Sequence, residues 1–203
     1  MGYHIIVAGN IGVGKTTVAR AIERQMEFKF FEESVSNNPY LEPFYEDMKK
    51  YSYDLQMFFL MTRTVDHTRA MFAKKSCVQD RCVYEDANIF AKNLHETGLM
   101  SAKEYNIYLN FYNDRISRLK QPDLLVYLHA EVSTLRERIK MRGRVWEESL
   151  TQEDNQYLDQ LQNLYTKWHD GYQGNKIFID TKKIDAINNE SELIAKIKEQ
   201  LPK

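Results

Sequence analysis

The run Gly9-Asn10-Ile11-Gly12-Val13-Gly14-Lys15-Thr16 has the form G-x-x-x-x-G-K-T, the pattern of a phosphate-binding loop. Its glycines let successive backbone N–H groups turn toward one centre, and a helical stretch over 15–26 adds the partial positive charge of its N-terminus. Lys15 has the reach for the β- and γ-phosphates of a nucleotide, and the Thr16 hydroxyl suits Mg²⁺. The expected nucleotide contacts are therefore Gly9, Asn10, Ile11, Gly12, Val13, Gly14, Lys15, Thr16 and Thr17. The pattern speaks for a nucleotide and says nothing of what else is bound.

Acids and arginines follow later apolar runs. Glu32-Glu33-Ser34-Val35 follows the second, where a carboxylate facing the γ-phosphate can accept a proton from a hydroxyl. Spacing alone does not separate that role from a solvated surface glutamate. Asp80-Arg81-Cys82 follows the third: the aspartate suits Mg²⁺ and the arginine suits charge on a transferring phosphoryl group, against the plainer reading of a surface ion pair. Arg138 and Arg142 are i, i+4 on one helix face, where like charges repel unless an anion lies between them. Gly143 permits a turn that sends Arg144 elsewhere. The segment 138–150 thus reads as a lid that closes arginines over a triphosphate, or as a solvated face on which Glu147 and Glu148 pair with Arg144.

Short apolar runs at 3–8, 29–33, 77–80, 124–128 and 176–180 read as strands and position these groups. Helical spacing occupies 15–26, 38–50, 53–73, 84–96, 101–119, 131–141, 153–171 and 189–200, with Pro122 as a stop signal. Strands alternating with long helices imply parallel crossovers, hence an α/β sheet covered on both faces. Ligands then sit beyond the carboxyl ends of the strands.

Composition agrees. The 203 residues are 43% hydrophobic and 12% aromatic, enough for a core and against global disorder. With no repeat, linker or low-complexity tract, a single domain over 1–203 is expected. Lys+Arg 28 against Asp+Glu 29 leaves a net charge of −1, with no field for nucleic acid or an anionic membrane. Cys77 and Cys82 are too few for a disulfide framework or a four-ligand zinc site. No membrane span or leader is read, so a cytoplasmic location is expected.

The motifs together resemble the deoxyribonucleoside kinase family, near the bacterial deoxyadenosine/deoxycytidine kinases, over nearly the whole chain. In order they are GNIGVGKTT, EESV, NPYLEPFY, DLQMFFLMTR, QDRCVYEDANIFAKNLHE and RIKMRGRVWEE. The resemblance implies a P-loop kinase fold with a five-stranded parallel sheet and an arginine-rich lid, a helix-packed homodimer, and ATP with Mg²⁺. It implies Glu33 as the base for the sugar 5′-hydroxyl, Asp80 as a magnesium partner and runner-up base, and Arg81 as holding the 5′-hydroxyl region and the phosphoryl group. It further implies Tyr45 and Glu147 on the 3′-hydroxyl, and Gln56, Arg63, Asp86 and Phe90 around the base. The spacing is compatible: Gln56 and Arg63 are two helical turns apart, and Asp86 and Phe90 are i, i+4. Cys82 departs from the family's usual serine and Ser34 from a frequent proline.

The expected reaction is ATP-dependent phosphorylation of a deoxynucleoside, with deoxyadenosine favoured and deoxycytidine or deoxyguanosine as alternatives. A nucleoside monophosphate kinase would need a cationic acceptor pocket, whereas NNPYLEPFYED is acidic and aromatic. A catalytically idle structural subunit would tend to have lost Lys15, Thr16, Glu33 or Arg81, all of which are present.

Overall fold

The computed structural model describes residues 2–32, 38–152, 154–184 and 186–202. Among these residues five strands form one parallel sheet in the order β2-β3-β1-β4-β5, as expected. In chain order the elements are β1 (His4–Gly9), α1 (Lys15–Met26), β2 (Lys29–Phe31), α2 (Leu41–Glu46), α3 (Met48–Met71) and β3 (Cys77–Asp80). Next come α4 (Val83–Glu85), a π-helical turn over Asp86–Ala91, α5 (Lys92–Glu96), α6 (Ala102–Ile116) and β4 (Leu124–His129). The chain continues with α7 (Val132–Arg142), a 3₁₀ segment (Val145–Thr151), α8 (Tyr157–Gly171), β5 (Lys176–Asp180) and α9 (Glu190–Glu199). Among the described residues no helix is long and apolar enough to cross a membrane.

The central strands are unbroken apolar runs because helices cover both faces of the sheet. Ile5, Ile6, Val7 and Ala8 of β1 and Leu124 to Leu128 of β4 are buried. The register pairs Val7 of β1 with Asp80 of β3, and the Arg81 amide donates to Val7 O at 3.0 Å. The phosphate-loop sequence and Asp80-Arg81 therefore leave the sheet side by side.

The long helix begins earlier than its periodicity suggests. Instead of helices at 38–50 and 53–73, a short α2 ends at Glu46 and α3 runs unbroken from Met48. Asp47 makes the division, since its carboxylate accepts from the Lys50 amide at 3.0 Å as an N-cap. The helix read at 153–171 starts at Tyr157, and the one read at 101–119 ends at Ile116, six residues before Pro122.

A histidine pair lies at the end of the sheet opposite Gly9. His4 Nε2 donates to Gln79 Oε1 at 3.1 Å, His67 Nε2 donates to Lys120 O at 2.8 Å, and the rings meet edge to face at 4.7 Å. Burial, then the neighbouring His67, lowers the His4 pKa from 6.5 to about 4, with Lys120 acting in the same direction and Gln79 and Asp123 opposing it. Burial also lowers that of His67. The unfolded chain thus takes up protons that the folded one refuses. The stabilisation from neutral His4 is complete above pH 6.5 and is lost as pH falls toward about 4, about 3 kcal/mol in all. Urea unfolding from pH 7 to 4.5 should show this loss, and His4→Gln should flatten it. An undiminished acid loss in His4→Gln would remove His4 as its cause.

Candidate active site

A cleft of about 1030 Å³ opens at the carboxyl ends of β1 and β3, with the phosphate loop at one end and Gln56, Arg63 and Phe90 at the other. The loop's form depends on its glycines. At Gly9 (φ +144°) a Cβ would lie 2.5 Å from Leu128 O, and Gly14 caps α1 in the left-handed region at φ +99°. Lys15 Nζ folds over the loop and donates to Gly9 O at 3.0 Å and Asn10 O at 2.9 Å. The Asn10 side chain turns away from the cradle: Nδ2 donates to Leu158 O at 3.0 Å and Gln162 Oε1 at 3.2 Å, so it braces the loop against α8. Asn10 can then meet a phosphate only through its backbone.

Thr16 Oγ1 donates to Asp80 Oδ2 at 2.6 Å, joining the two groups expected to serve a metal. Both are oxygen donors, which fits a hard ion such as Mg²⁺ that keeps most of its coordination for water and phosphate oxygens. Arg81 lines the cleft with its backbone in the left-handed region at φ 67°, a conformation costing a non-glycine residue about 1–3 kcal/mol. Its surroundings hold it there. The amide bonds Val7, the guanidinium donates to the Tyr165 hydroxyl at 2.8 Å, and it lies 4.6 Å from the centre of the Phe90 ring.

Helix α3 and the π turn build the far end. Gln56 and Arg63 are buried on one face of α3, as their spacing suggests, and Phe90 faces them from the π turn, a distortion that recurs at functional sites. Asp86 is fully buried and ion-paired with Arg63, whose guanidinium also covers the Phe59 ring at 4.0 Å. Gln56 Oε1 and Asp86 Oδ2 accept no hydrogen bond among the described residues. Gln56 lines the cleft, whereas Asp86 lies behind Arg63 and does not, so it is Gln56 Oε1, unmet at a cost of about 1–3 kcal/mol, that favours a ligand bringing an N–H donor.

Between the two ends, Tyr45 of α2 and Glu147 of the 3₁₀ segment face the cleft with Tyr157. Burial, then Tyr157 and Glu147, keeps the Tyr45 hydroxyl well above its usual pKa of 10, so it remains a donor. Glu147 is itself buried and takes ion pairs from Arg142 and, at 3.5 Å, from Arg144. Arg142 and Arg144 therefore form one unit with Glu147, which pairs with both yet is not on a solvated face. Arg138 behaves differently. Although on the same helix as Arg142, it is half-buried and donates to Val13 O at 3.1 Å and Thr181 Oγ1 at 2.8 Å. These bonds tie Arg138 to the phosphate loop and to the end of β5, whereas Arg142 and Arg144 are tied to Glu147.

Glu33 and Ser34 lie outside the described residues. The preceding Glu32 reaches the cleft mouth and pairs with Arg20 at 2.9 Å. Sequence reasoning missed Tyr157, Tyr165 and Glu85. For Glu85 a signal existed: it stands three residues after Cys82, the capping-box spacing, and its carboxylate accepts from the Cys82 amide at 2.8 Å. The charged partner supports the helix start where Cys82 replaces a better-bonding serine.

A profile described as deoxynucleoside kinase matches residues 5–202. A deoxyadenosine kinase of Dictyostelium discoideum is 35% identical over 184 residues, 91% of this chain and 72% of its own length. A deoxyadenosine/deoxycytidine kinase of Bacillus subtilis is 33% identical over 192 residues, 93% of this chain and 87% of its own. The structure of deoxyadenosine kinase from M. mycoides with bound dATP superimposes with a TM-score of 0.83 at 28% identity, covering 96% of this chain and 99% of that one.

Proposed function

This chain belongs to the deoxynucleoside kinase family and phosphorylates deoxynucleosides, and from that premise we propose that it transfers the γ-phosphoryl group of ATP to the 5′-hydroxyl of deoxyadenosine, with deoxycytidine as the second substrate. One observation carries the reading: a phosphate cradle and a base-sized recess lined by Gln56, Arg63 and Phe90, with the Gln56 acceptor unmet, share a single cleft. Lys15, Arg138, Arg142 and Arg144 would hold the triphosphate. Thr16 and Asp80 would hold Mg²⁺, which supplies charge neutralisation on the phosphates. Glu33 would take the 5′-hydroxyl proton while Arg81 stabilises the moving phosphoryl group. Tyr45 as donor and Glu147 as acceptor suit the 3′-hydroxyl. Because Glu147 also carries the lid arginines, closing on the sugar and closing on the triphosphate become one motion.

Gln56 offers an acceptor and a donor to a base edge and Phe90 a face to stack on, and the Asp86 carboxylate held behind Arg63 gives that wall the acceptor that would suit an exocyclic amine. Initial rates of ATP consumption with the four deoxynucleosides and their monophosphates test this. Deoxyadenosine should give the highest kcat/KM and monophosphates none. Turnover of a monophosphate in preference would return the chain to the monophosphate-kinase reading.

The reading extends to a cytoplasmic enzyme of one catalytic domain that works as a homodimer. Support for the dimer is an apolar patch on two packed helices, with Met61 and Val65 exposed on α3 and Ile107 and Phe111 on α6, each pair i, i+4. Sedimentation should give twice the chain mass, and Val65→Asp with Phe111→Asp should give monomers. A wild-type monomer at micromolar concentration removes the assignment.

A further inference from the structure

Glu85 is fully buried beneath the cleft, and four donors converge on its carboxylate. Oε1 accepts from the Gly9 amide at 3.2 Å and from the Tyr165 hydroxyl at 2.7 Å, with Arg81 Nη1 3.6 Å away; Oε2 accepts from the Cys82 amide. The Tyr165 hydroxyl in turn accepts from Arg81 Nη1 at 2.8 Å. One carboxylate therefore meets the first amide of the phosphate loop, the guanidinium at the end of β3 and the amide that starts the next helix. Burial, with the Glu85 charge beside it, keeps Tyr165 protonated and able to donate, against the opposing pull of Arg81.

We propose that Glu85 is a positioning residue for phosphoryl transfer, locking the Arg81 guanidinium to the phosphate loop so that both face the reacting group in one fixed frame. The proposal rests on the assignment of Arg81 to the transferring phosphoryl group. Arg81 is held in an unfavourable backbone conformation, and a long side chain projecting from it needs a second anchor at its far end. Glu85 supplies that anchor directly and through Tyr165. Charge-assisted hydrogen bonds in a buried site are strong and directional, and a misplacement of about 1 Å in such a group costs about 10² in rate.

Glu85→Gln keeps the shape but puts an N–H₂ group where only acceptors fit. Turnover should fall about 10–100-fold, while the KM values for deoxynucleoside and ATP stay within about threefold. A coupling test separates positioning from mere stability. If Glu85 acts through Arg81, adding Glu85→Gln to Arg81→Lys costs less than about twofold beyond Arg81→Lys alone, whereas independent roles multiply. Tyr165→Phe removes only the relay, should lower turnover about 3–10-fold, and carries the same cycle if Glu85→Gln does not fold. Wild-type turnover in Glu85→Gln, or multiplicative losses, overturns the proposal. Wild-type turnover in Arg81→Lys overturns the Arg81 assignment and the proposal with it. Loss of deoxynucleoside phosphorylation by the unmutated enzyme would instead be a failure of the functional reading.

Discussion

Replacing Glu33 by glutamine is expected to lower kcat by about 10²–10⁴ while the KM for deoxyadenosine changes less than about threefold and the melting temperature stays put. The amide keeps size and polarity but cannot take the 5′-hydroxyl proton, so binding survives and chemistry does not. The competing acid is Asp80, whose Oδ2 already accepts the Thr16 hydroxyl at 2.6 Å. That bond ties Asp80 to the phosphate loop, beside Thr16, which fits the metal-holding role proposed for the two. Asp80→Asn should therefore change the dependence of rate on Mg²⁺ concentration, an effect absent from Glu33→Gln. Normal turnover in Glu33→Gln with none in Asp80→Asn would move the base to Asp80.

Base selection should respond as strongly to the Arg63–Asp86 pair. Adenine and cytosine carry an exocyclic amine that an acceptor-rich wall can satisfy, whereas thymine brings a carbonyl and a methyl group. Setting a carbonyl against acceptors leaves buried groups unmet, at about 1–3 kcal/mol or more, so the wild type should prefer deoxyadenosine over thymidine by about 10²-fold in kcat/KM. The double change Arg63→Met with Asp86→Ala removes both the mismatch and the crowding and should narrow that ratio at least about tenfold. Asp86→Ala alone is a different perturbation. Both partners are almost completely buried, and breaking such a pair from one side costs about 3–5 kcal/mol of stability. The single variant should thus melt lower than the double one. Thymidine used as well as deoxyadenosine by the wild type, or no relative gain for thymidine in the double variant, contradicts this account of the pocket.

The parts legible in the sequence were those with local causes. Central strands β1 and β4 announce themselves as unbroken apolar runs because both faces are covered, and the phosphate loop is a contiguous motif between a strand and a helix. Gln56 and Arg63 reach one pocket because their spacing is two turns of a single helix. Other features depend on contacts between distant segments. Glu85 and Tyr165 are 80 residues apart, and nothing in either neighbourhood announces their hydrogen bond. Arg138 and Arg142 share a face by spacing yet part company, since Thr181 and Val13 claim the first, while Gly143 turns the chain so that Glu147 reaches the second. The division at Asp47 was written locally as an N-cap, but the apolar periodicity on both sides obscured it. For Glu33 the motif alone speaks, because it lies outside the described residues.

The most direct measurement is product analysis after incubation with deoxyadenosine, ATP and Mg²⁺, alongside the same reaction with the analogue lacking the 5′-hydroxyl. The account predicts deoxyadenosine 5′-monophosphate and ADP in equal amounts, and no ATP consumption with the analogue. ATP consumed equally with the analogue, or phosphate found at the 3′-oxygen, would contradict it.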